Sequence, residues 1–246
     1  MEITSLSNKI VVYAAQLKEK KYRDRENKYL IEGEHLISMA KDIECIFTTN
    51  KNYINDKVMV YYVPDAILKK ISAVEAPQNI IAIVKKEKYE LDYTKNRYLI
   101  CDGVSDPGNM GTIIRTALAF NVDMIFLSNG SVDIYNDKVI RGSQGAILKI
   151  PFVYGNVNEI IKKLKEHNVC VIASTLSSRS VPLNSLKDIH KFALIVGNEG
   201  SGVSLINQQD SDINVKIEHS NNIDSLNVGV ATSIMLYYLD SISKGE

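Results

Sequence analysis

Two segments of the chain set amide, carboxylate and guanidinium groups among glycines, a combination suited to binding a ligand. DGVSDPGNMGTIIRTA, residues 102–117, places Asn109 six residues before Arg115, after a strand-like run. LIVGNEGSGVS, residues 194–204, places Glu199 within a glycine-rich turn after another such run. Glycines let the backbone approach a ligand closely, and a loop that opens a helix favours anions. The pattern indicates a site for a polar or anionic ligand.

A third segment, IEHSNNIDSLNVGVATSIMLYYL, opens an apolar helix near the carboxyl terminus and carries Ser225 and Asn227 at its start. Each segment also has an ordinary structural interpretation. Asn109 and Ser225 are natural helix caps, and Arg115 on a polar helix face is commonly just solvated. Neither GxGxxG nor GK[ST] follows a strand, so dinucleotide and P-loop sites are weakly supported. Taken singly, the segments leave both interpretations open.

The elements that must position these segments follow an α/β pattern from Tyr98 onward. Continuous apolar runs alternate with helical stretches, which predicts a parallel sheet covered on both faces. In such sheets the loops after the strands meet at one edge, where ligands bind. The strand-like runs are RYLICDG, DMIFLSNG, VCVIAST, FALIVGNEG and DINVKIEH.

The amino-terminal part is predicted to be a separate small α/β domain. Residues 1–84 mix helix and strand signals, and the polar run 85–97 is typical of a linker before the second domain, 98–246. One long helix is expected over SLSNKIVVYAAQLKEKKYRDRENK, with Ser7 as its cap. Its basic end carries Lys21, Arg23 and Arg25 among acidic residues, so it is either an RNA-binding surface or a solvated helix end.

Composition excludes several classes of protein. Lys+Arg and Asp+Glu both number 29 in 246 residues, so net charge does not favour a polyanionic partner, although a local basic patch can bind one. The three cysteines are scattered in apolar settings, which predicts neither a disulfide framework nor a metal site. No apolar run approaches the roughly 20 residues of a membrane span. We expect a cytoplasmic protein that requires no membrane.

In order and spacing, the three segments resemble the SpoU (TrmH-type) branch of the SPOUT RNA methyltransferases. That family has N-x-G-x-x-x-R, then a strand ending G-x-E-x-x-G, then I-P-M-x-G-x-x-x-S-L-N. The resemblance covers 98–240, and KVIRGSQGAILKIPF is similar to the family's basic segment. Residues 1–84 resemble an L30e-like substrate-binding domain. The matching residues are Asn109, Gly111, Arg115, Gly197, Glu199, Gly202, Ile217, Ser225, Leu226 and Asn227.

The resemblance implies a parallel sheet tied in a deep trefoil knot, in which S-adenosylmethionine gives its methyl group to a ribose 2′-hydroxyl of RNA. Arg115 would stabilise the developing alkoxide and clamp the adjoining phosphate. Asn109, Glu199, Ser225 and Asn227 would position that arginine, the phosphate or the ribose. The cofactor contacts implied are Thr175, Gly197, Ile217 and Leu226.

The resemblance also implies a homodimer, and it does not decide whether Arg115 serves its own or the partner's site. RNA contacts are expected from Lys21, Arg23, Arg25 and Arg141, with ribosomal RNA preferred over transfer RNA. The chain departs from the family's third motif, where Pro, Met and Gly are replaced by Glu218, His219 and Asn221. An RNA-binding protein that has lost the methyl donor is therefore an alternative, and a small-molecule nucleotide enzyme is a third.

Overall fold

The computed structural model of this protein describes residues 1–220 and 222–244. The helices, numbered along the chain, are α1 Lys9–Gln16, α2 Lys20–Glu26, α3 Glu34–Met39, α4 Asp65–Ile71, α5 Pro107–Ala119, α6 Asp137–Gly142, α7 Val157–Glu166, α8 Leu205–Asp210 and α9 Val228–Lys244. The strands are β1 Lys28–Glu32, β2 Ile43–Thr48, β3 Met59–Tyr62, β4 Ile80–Lys85, β5 Arg97–Asp102, β6 Met124–Ser128, β7 Phe152–Gly155, β8 Cys170–Ser174, β9 Val181–Pro182, β10 Phe192–Gly197 and β11 Ile213–Lys216.

The chain divides into two compact units. Unit 1 contains Met1–Lys88 and Tyr135–Leu148, and unit 2 contains Tyr89–Ile134 and Lys149–Glu246. The sequence assigns Tyr135–Leu148 to the second domain, whereas the structure packs it within unit 1. The Tyr135 ring lies 4.5 Å from that of Tyr29, and α6 contacts β1. The chain therefore crosses between the units three times.

Unit 1 is a four-stranded mixed sheet with the order β1-β4-β2-β3, in which only β2 and β3 are parallel. The predicted long first helix is wrong: α1 and α2 are separate, and Asn8 rather than Ser7 caps α1. The break has a clear cause. The guanidinium of Arg23 folds back from α2 and donates to the carbonyl oxygens of Leu17 and Lys18. These carbonyl groups lie just past the end of α1, where they have no helical hydrogen-bond partner.

Unit 2 is a seven-stranded parallel sheet with the order β7-β6-β5-β10-β8-β11-β9. All six residues of β10 are buried, as expected for a strand covered on both faces. Helix α7 covers one face with an apolar stripe at helical spacing, formed by Val157, Ile160, Ile161 and Leu164. The α/β fold class predicted from the sequence is confirmed, and the knot stays a prediction.

The central strands place two of the three segments of interest side by side at one edge of this sheet. β5 and β10 are hydrogen-bonded neighbours, paired from Phe192 and Arg97 up to Gly197 and Asp102. The loops that follow these strands therefore leave the sheet side by side. Within the ranges 1–220 and 222–244, no helix is both long and apolar enough to cross a bilayer.

Candidate active site

Helix α5 begins three residues earlier than the sequence suggests, and this frees Asn109 from a capping role. Asp106 is the N-cap, and its side chain accepts a hydrogen bond of 2.8 Å from the Asn109 backbone N–H. Pro107 takes the first helical position, where a missing N–H costs nothing. The predicted cap at Asn109 is therefore wrong, and its side-chain amide is available for other contacts.

Glu199 binds the loop ahead of α5 with a set of donors that converge on its carboxylate. It accepts hydrogen bonds from the Ser105 N–H and hydroxyl at 3.2 and 3.0 Å, the Asp106 N–H at 3.0 Å, and the Asn109 Nδ2 at 3.0 Å. Partial burial alone would raise the pKa of Glu199, but these bonds outweigh it and lower the pKa to about 2. The carboxylate is therefore a fixed anion, not a proton acceptor near neutral pH.

Asn227 extends this network to the third segment. Its Nδ2 donates to the Asn109 Oδ1 at 2.8 Å, and its Oδ1 accepts from the backbone N–H groups of Gly229 and Val230 at 2.9 and 3.2 Å. Asn227 therefore caps α9, and the predicted cap at Ser225 is wrong. Because a carboxylate only accepts, the Glu199 contact also fixes which way the Asn109 amide points. One chain of hydrogen bonds joins all three segments.

A cavity of about 700 Å³ lies beside this network, within the usual size range of small-molecule sites. The structure brings all four predicted cofactor contacts to its wall, namely Thr175, Gly197, Ile217 and Leu226. Glu199, Ser225 and Asn227 line it as well, and so does His219 of the altered third motif. Glu218 is exposed, and Asn221 lies outside the described residues.

The glycine-rich turn after β10 is closed by its own backbone. Asn198 and Gly202 exchange N–H···O bonds of 3.1 and 2.9 Å, and Gly202 has a φ of +69°, a conformation that favours glycine. A Cβ on Gly197 would lie 2.0 Å from the Gly202 carbonyl carbon, so the turn requires glycine at that position. Its backbone thereby forms one wall of the cavity.

Arg115 lies on the exposed face of α5 and does not line the cavity. Among the described residues no side chain forms an ion pair or hydrogen bond with its guanidinium, which leaves five N–H donors available to an external anion. Arg115 and Asn109 lie on the same helix, six residues apart, and only Asn109 belongs to the hydrogen-bond network.

The predicted RNA-binding cations of unit 1 already have partners. Arg23 is only 5% exposed, which is at odds with direct RNA contact and fits its bonds to backbone carbonyls. Lys21 pairs with Glu19, Arg25 with Glu26, and Arg141 with Asp137. The last three pairs are well exposed, where ion pairs are weak and readily exchanged for phosphate.

The structure adds residues to the site that sequence reasoning missed. Ser105 and Asn198 both join the loop after β5 to the loop after β10. Asp102, at the end of β5, accepts from residues of α8 and its cap. A polar residue at the carboxyl end of a buried parallel strand was the available signal for Asp102, but its partners lie 102 and 105 positions away.

The described part of the chain contains no group of three or more His, Cys, Asp or Glu side chains placed to hold a metal ion. Burial raises the pKa of the Cys45 and Cys101 thiols to about 12, which keeps them protonated and unreactive.

Comparison with known proteins assigns each part of the chain to a family. The model of the SpoU rRNA Methylase family matches residues 96–237, more than half of the chain. The model of the MRM3-like substrate binding domain matches residues 8–82. The predicted methyltransferase family and its fused substrate-binding domain are confirmed.

Individual relatives match nearly the whole chain. The 23S rRNA (guanosine(2553)-2′-O)-methyltransferase RlmP of Bacillus subtilis is 33% identical over 97% of this chain and 98% of its own length. The 23S rRNA (guanosine-2′-O-)-methyltransferase RlmB of Blochmanniella floridana is 30% identical over 92% of both chains. A crystal structure of an AdoMet-bound rRNA methyltransferase from Sinorhizobium meliloti, 27% identical, superposes with a TM-score of 0.88 over 98% of this chain and 97% of the other. The chain belongs to the SpoU rRNA methylase family.

Proposed function

We propose that this protein transfers the methyl group of S-adenosylmethionine to the 2′-hydroxyl of a guanosine in 23S ribosomal RNA. The reaction is supported by family membership. The guanosine and the 23S RNA are supported by the RlmP and RlmB relatives, which match over more than nine tenths of this chain and carry both words in their names. The proposal places the protein in the cytoplasm with its substrate.

The observation that carries the proposal is the hydrogen-bonded chain from Glu199 through Asn109 to Asn227 at the wall of the cavity. A plain turn or a simple helix cap does not require such a series of hydrogen bonds. It fixes three loops from distant parts of the sequence around one volume. That arrangement is what a transfer between two bound molecules requires, because orientation alone can supply about 7–11 kcal/mol of the barrier.

The size and charge of the cavity support S-adenosylmethionine as its ligand. Gly197 and Gly202 line it without side chains that would narrow it. The anionic Glu199 lines the same volume, which favours a cationic ligand. When bound, the cofactor supplies a methyl group already activated on a sulfonium sulfur. We assign its contacts to Thr175, Gly197, Ile217 and Leu226.

Arg115 is assigned the role of stabilising negative charge as it develops on the ribose 2′-oxygen. A guanidinium has N–H donors and no acceptor, so Arg115 donates hydrogen bonds rather than removing the proton. A planar fork with several donors can hold the 2′-oxygen and the adjoining phosphate together. The absence of any intramolecular partner among the described residues leaves the group free for this purpose.

Asn109, Glu199 and Asn227 are assigned to positioning. Glu199 fixes the Asn109 amide, and Asn109 shares its Oδ1 with Asn227, so the loop ahead of Arg115 is held against the cavity wall. Ser225 lines the cavity one turn before α9 and is assigned to the ribose. Unit 1 contributes RNA affinity through exposed Lys21, Arg25 and Arg141, whose contribution should weaken as salt rises.

The test is methyl transfer from labelled S-adenosylmethionine to purified 23S rRNA, followed by nuclease digestion and nucleoside analysis. We expect 2′-O-methylguanosine as the labelled product. Label on a base would contradict the proposed reaction, and label on transfer RNA in preference to 23S rRNA would contradict the proposed substrate. Calorimetry with S-adenosylmethionine tests the binding-only alternative, which predicts no saturable heat.

Arg115→Ala in the same assay should lower kcat by about 10²–10³-fold, the usual effect of removing a donor from a developing oxyanion. The dissociation constant of the Arg115→Ala variant for S-adenosylmethionine should not change, because Arg115 does not line the cavity. Arg115→Lys keeps the charge without the planar fork and should recover only part of the rate. Lys162→Ala, which removes an exposed cation of α7, is the matched control. An unchanged kcat in Arg115→Ala would remove the residue from this role.

A further inference from the structure

Asp102 ends β5 next to the loop that leads into α5, yet it does not line the cavity. Its Oδ2 accepts two hydrogen bonds from the other side of the site. One comes from the Ser204 backbone N–H at 2.9 Å and the other from the Asn207 Nδ2 at 2.7 Å. A single carboxylate oxygen therefore holds both the cap residue and the first turn of α8.

Asn207 depends strongly on this contact. It is 2% exposed, and its Oδ1 is buried with no hydrogen-bond partner among the described residues. The Nδ2 bond to Asp102 is therefore the contact that holds the side-chain amide in place. A buried amide that loses its last partner costs the full desolvation penalty of the group. Removal of the Asp102 charge should release the start of α8.

Helix α8 in turn forms part of the cavity wall. Gln208 lines the cavity, accepts from the Thr175 hydroxyl at 3.1 Å and donates to the Val203 carbonyl at 2.7 Å. Thr175 and Val203 line it as well. A continuous path of hydrogen bonds and one helical turn thus runs from Asp102 through α8 to a side chain assigned to the cofactor.

We propose that Asp102 is a positioning residue for the methyl donor: it fixes α8, and through Gln208 it fixes the wall of the cavity at Thr175. This inference rests on the proposed function, because it takes the cavity to be the cofactor site. Asp102 touches neither the donor nor the RNA, so its loss should weaken donor binding and leave the transfer step intact at saturation.

The test compares two carboxylates that lie near opposite ends of β5. Asp123, just before β6, is also half-buried, and its Oδ2 accepts from the backbone N–H groups of Asn96 and Arg97 at the start of β5. Asp102→Ala and Asp123→Ala each remove a carboxylate oxygen that accepts two hydrogen bonds. Only the first should alter the site.

For Asp102→Ala we expect a dissociation constant for S-adenosylmethionine raised by about tenfold in calorimetry, because the hydrogen bonds that hold the start of α8 are lost. The KM for the donor should rise in parallel, with kcat and the KM for RNA unchanged. Asp123→Ala should bind the donor as the wild type does, even where its thermal stability falls by as much. A purely structural role for Asp102 predicts no such difference between the two variants.

Should Asp102→Ala fail to fold, Asn207→Ala decides the question, because it removes the Asp102–Asn207 contact and keeps the carboxylate. Equal donor affinity in the variants and the wild type would overturn the inference. Absence of donor binding by the wild type would instead overturn the proposed function, so the two failures are distinguishable.

Discussion

At the scale of single residues, Glu199 holds the site together as an anion. Folding lowers its pKa from the ordinary 4.5 to about 2, because the hydrogen bonds to its carboxylate outweigh the effect of burial. At pH values between about 2 and 4.5, Glu199 therefore binds fewer protons in the folded protein than in the unfolded chain. The contribution of Glu199 to stability is therefore complete above pH 4.5 and is lost as the pH falls towards 2.

The lowered pKa of Glu199 predicts how the effect of Glu199→Gln on stability depends on pH. The amide puts N–H groups against the N–H donors of Ser105 and Asp106, so the variant should unfold at a lower urea concentration than the wild type. The difference in midpoint should be constant between about pH 5 and pH 8 and should shrink below pH 4.5. Urea unfolding of both proteins from pH 7 down to pH 3 measures it.

Glu218→Gln is the matched control, since it removes an exposed carboxylate that forms no hydrogen bond with the described residues. We expect no change of midpoint from this substitution at any pH. A Glu199→Gln difference that is independent of pH would contradict the assignment of Glu199 as a hydrogen-bonded anion.

At the scale of elements, the turn after β10 allows no side chain at Gly197. A Cβ there would lie 2.0 Å from the Gly202 carbonyl carbon and 2.1 Å from the Val203 nitrogen. Gly197→Ala must therefore displace the turn, and overpacking of this kind costs typically 1–3 kcal/mol. We expect a destabilised protein with at least tenfold weaker binding of S-adenosylmethionine, measured by thermal unfolding and calorimetry.

Gly200→Ala in the same turn provides the comparison. Its Cβ would meet only the Asn198 Oδ1, at an ordinary 3.6 Å, so the stability of this variant should stay close to that of the wild type. If Gly197→Ala binds the donor as tightly as the wild type does, the turn is not part of the cofactor site.

The same scale shows where sequence reasoning succeeds. The order of apolar runs predicted the parallel sheet of unit 2. A strand such as β10, which is buried on both faces, has a continuously apolar sequence that can be recognised without the structure. Helix ends were predicted less well. Asn109 and Ser225 are as good N-caps by type as Asp106 and Asn227. Pro107, which follows Asp106, was a local signal for the first of these caps, because proline favours the first helical position.

At the scale of the whole molecule, the sequence could not predict contacts made by the crossover connections. Asp102 reaches Asn207, and Tyr135–Leu148 joins unit 1, through chain paths that local propensity does not encode. The basic run near α2 was misread for a related reason. Composition placed Arg23 among exposed cations, whereas the break between α1 and α2 buries it against backbone carbonyls.

The homodimer that the family resemblance implies belongs to this scale as well, and helix α9 provides its test. Val230, Ile234 and Tyr237 are 48%, 39% and 63% exposed, and their spacing places them on one face of the helix. An apolar stripe of this kind is typical of a surface that a partner covers. We infer that a second copy of the chain packs there, so the protein should have twice its monomer mass of 27.5 kDa.

Tyr237→Glu sets a charge within that stripe and should convert the dimer into a monomer, because an unpaired charge is costly to bury at an interface. Size-exclusion chromatography with light scattering measures the mass at the concentration of the methyl-transfer assay. Ile54→Glu alters an apolar side chain of unit 1 that is 75% exposed, and it should leave the mass of the dimer unchanged. A wild-type mass of 27.5 kDa under these conditions would contradict the dimer, and an unchanged mass in Tyr237→Glu would move the interface away from α9.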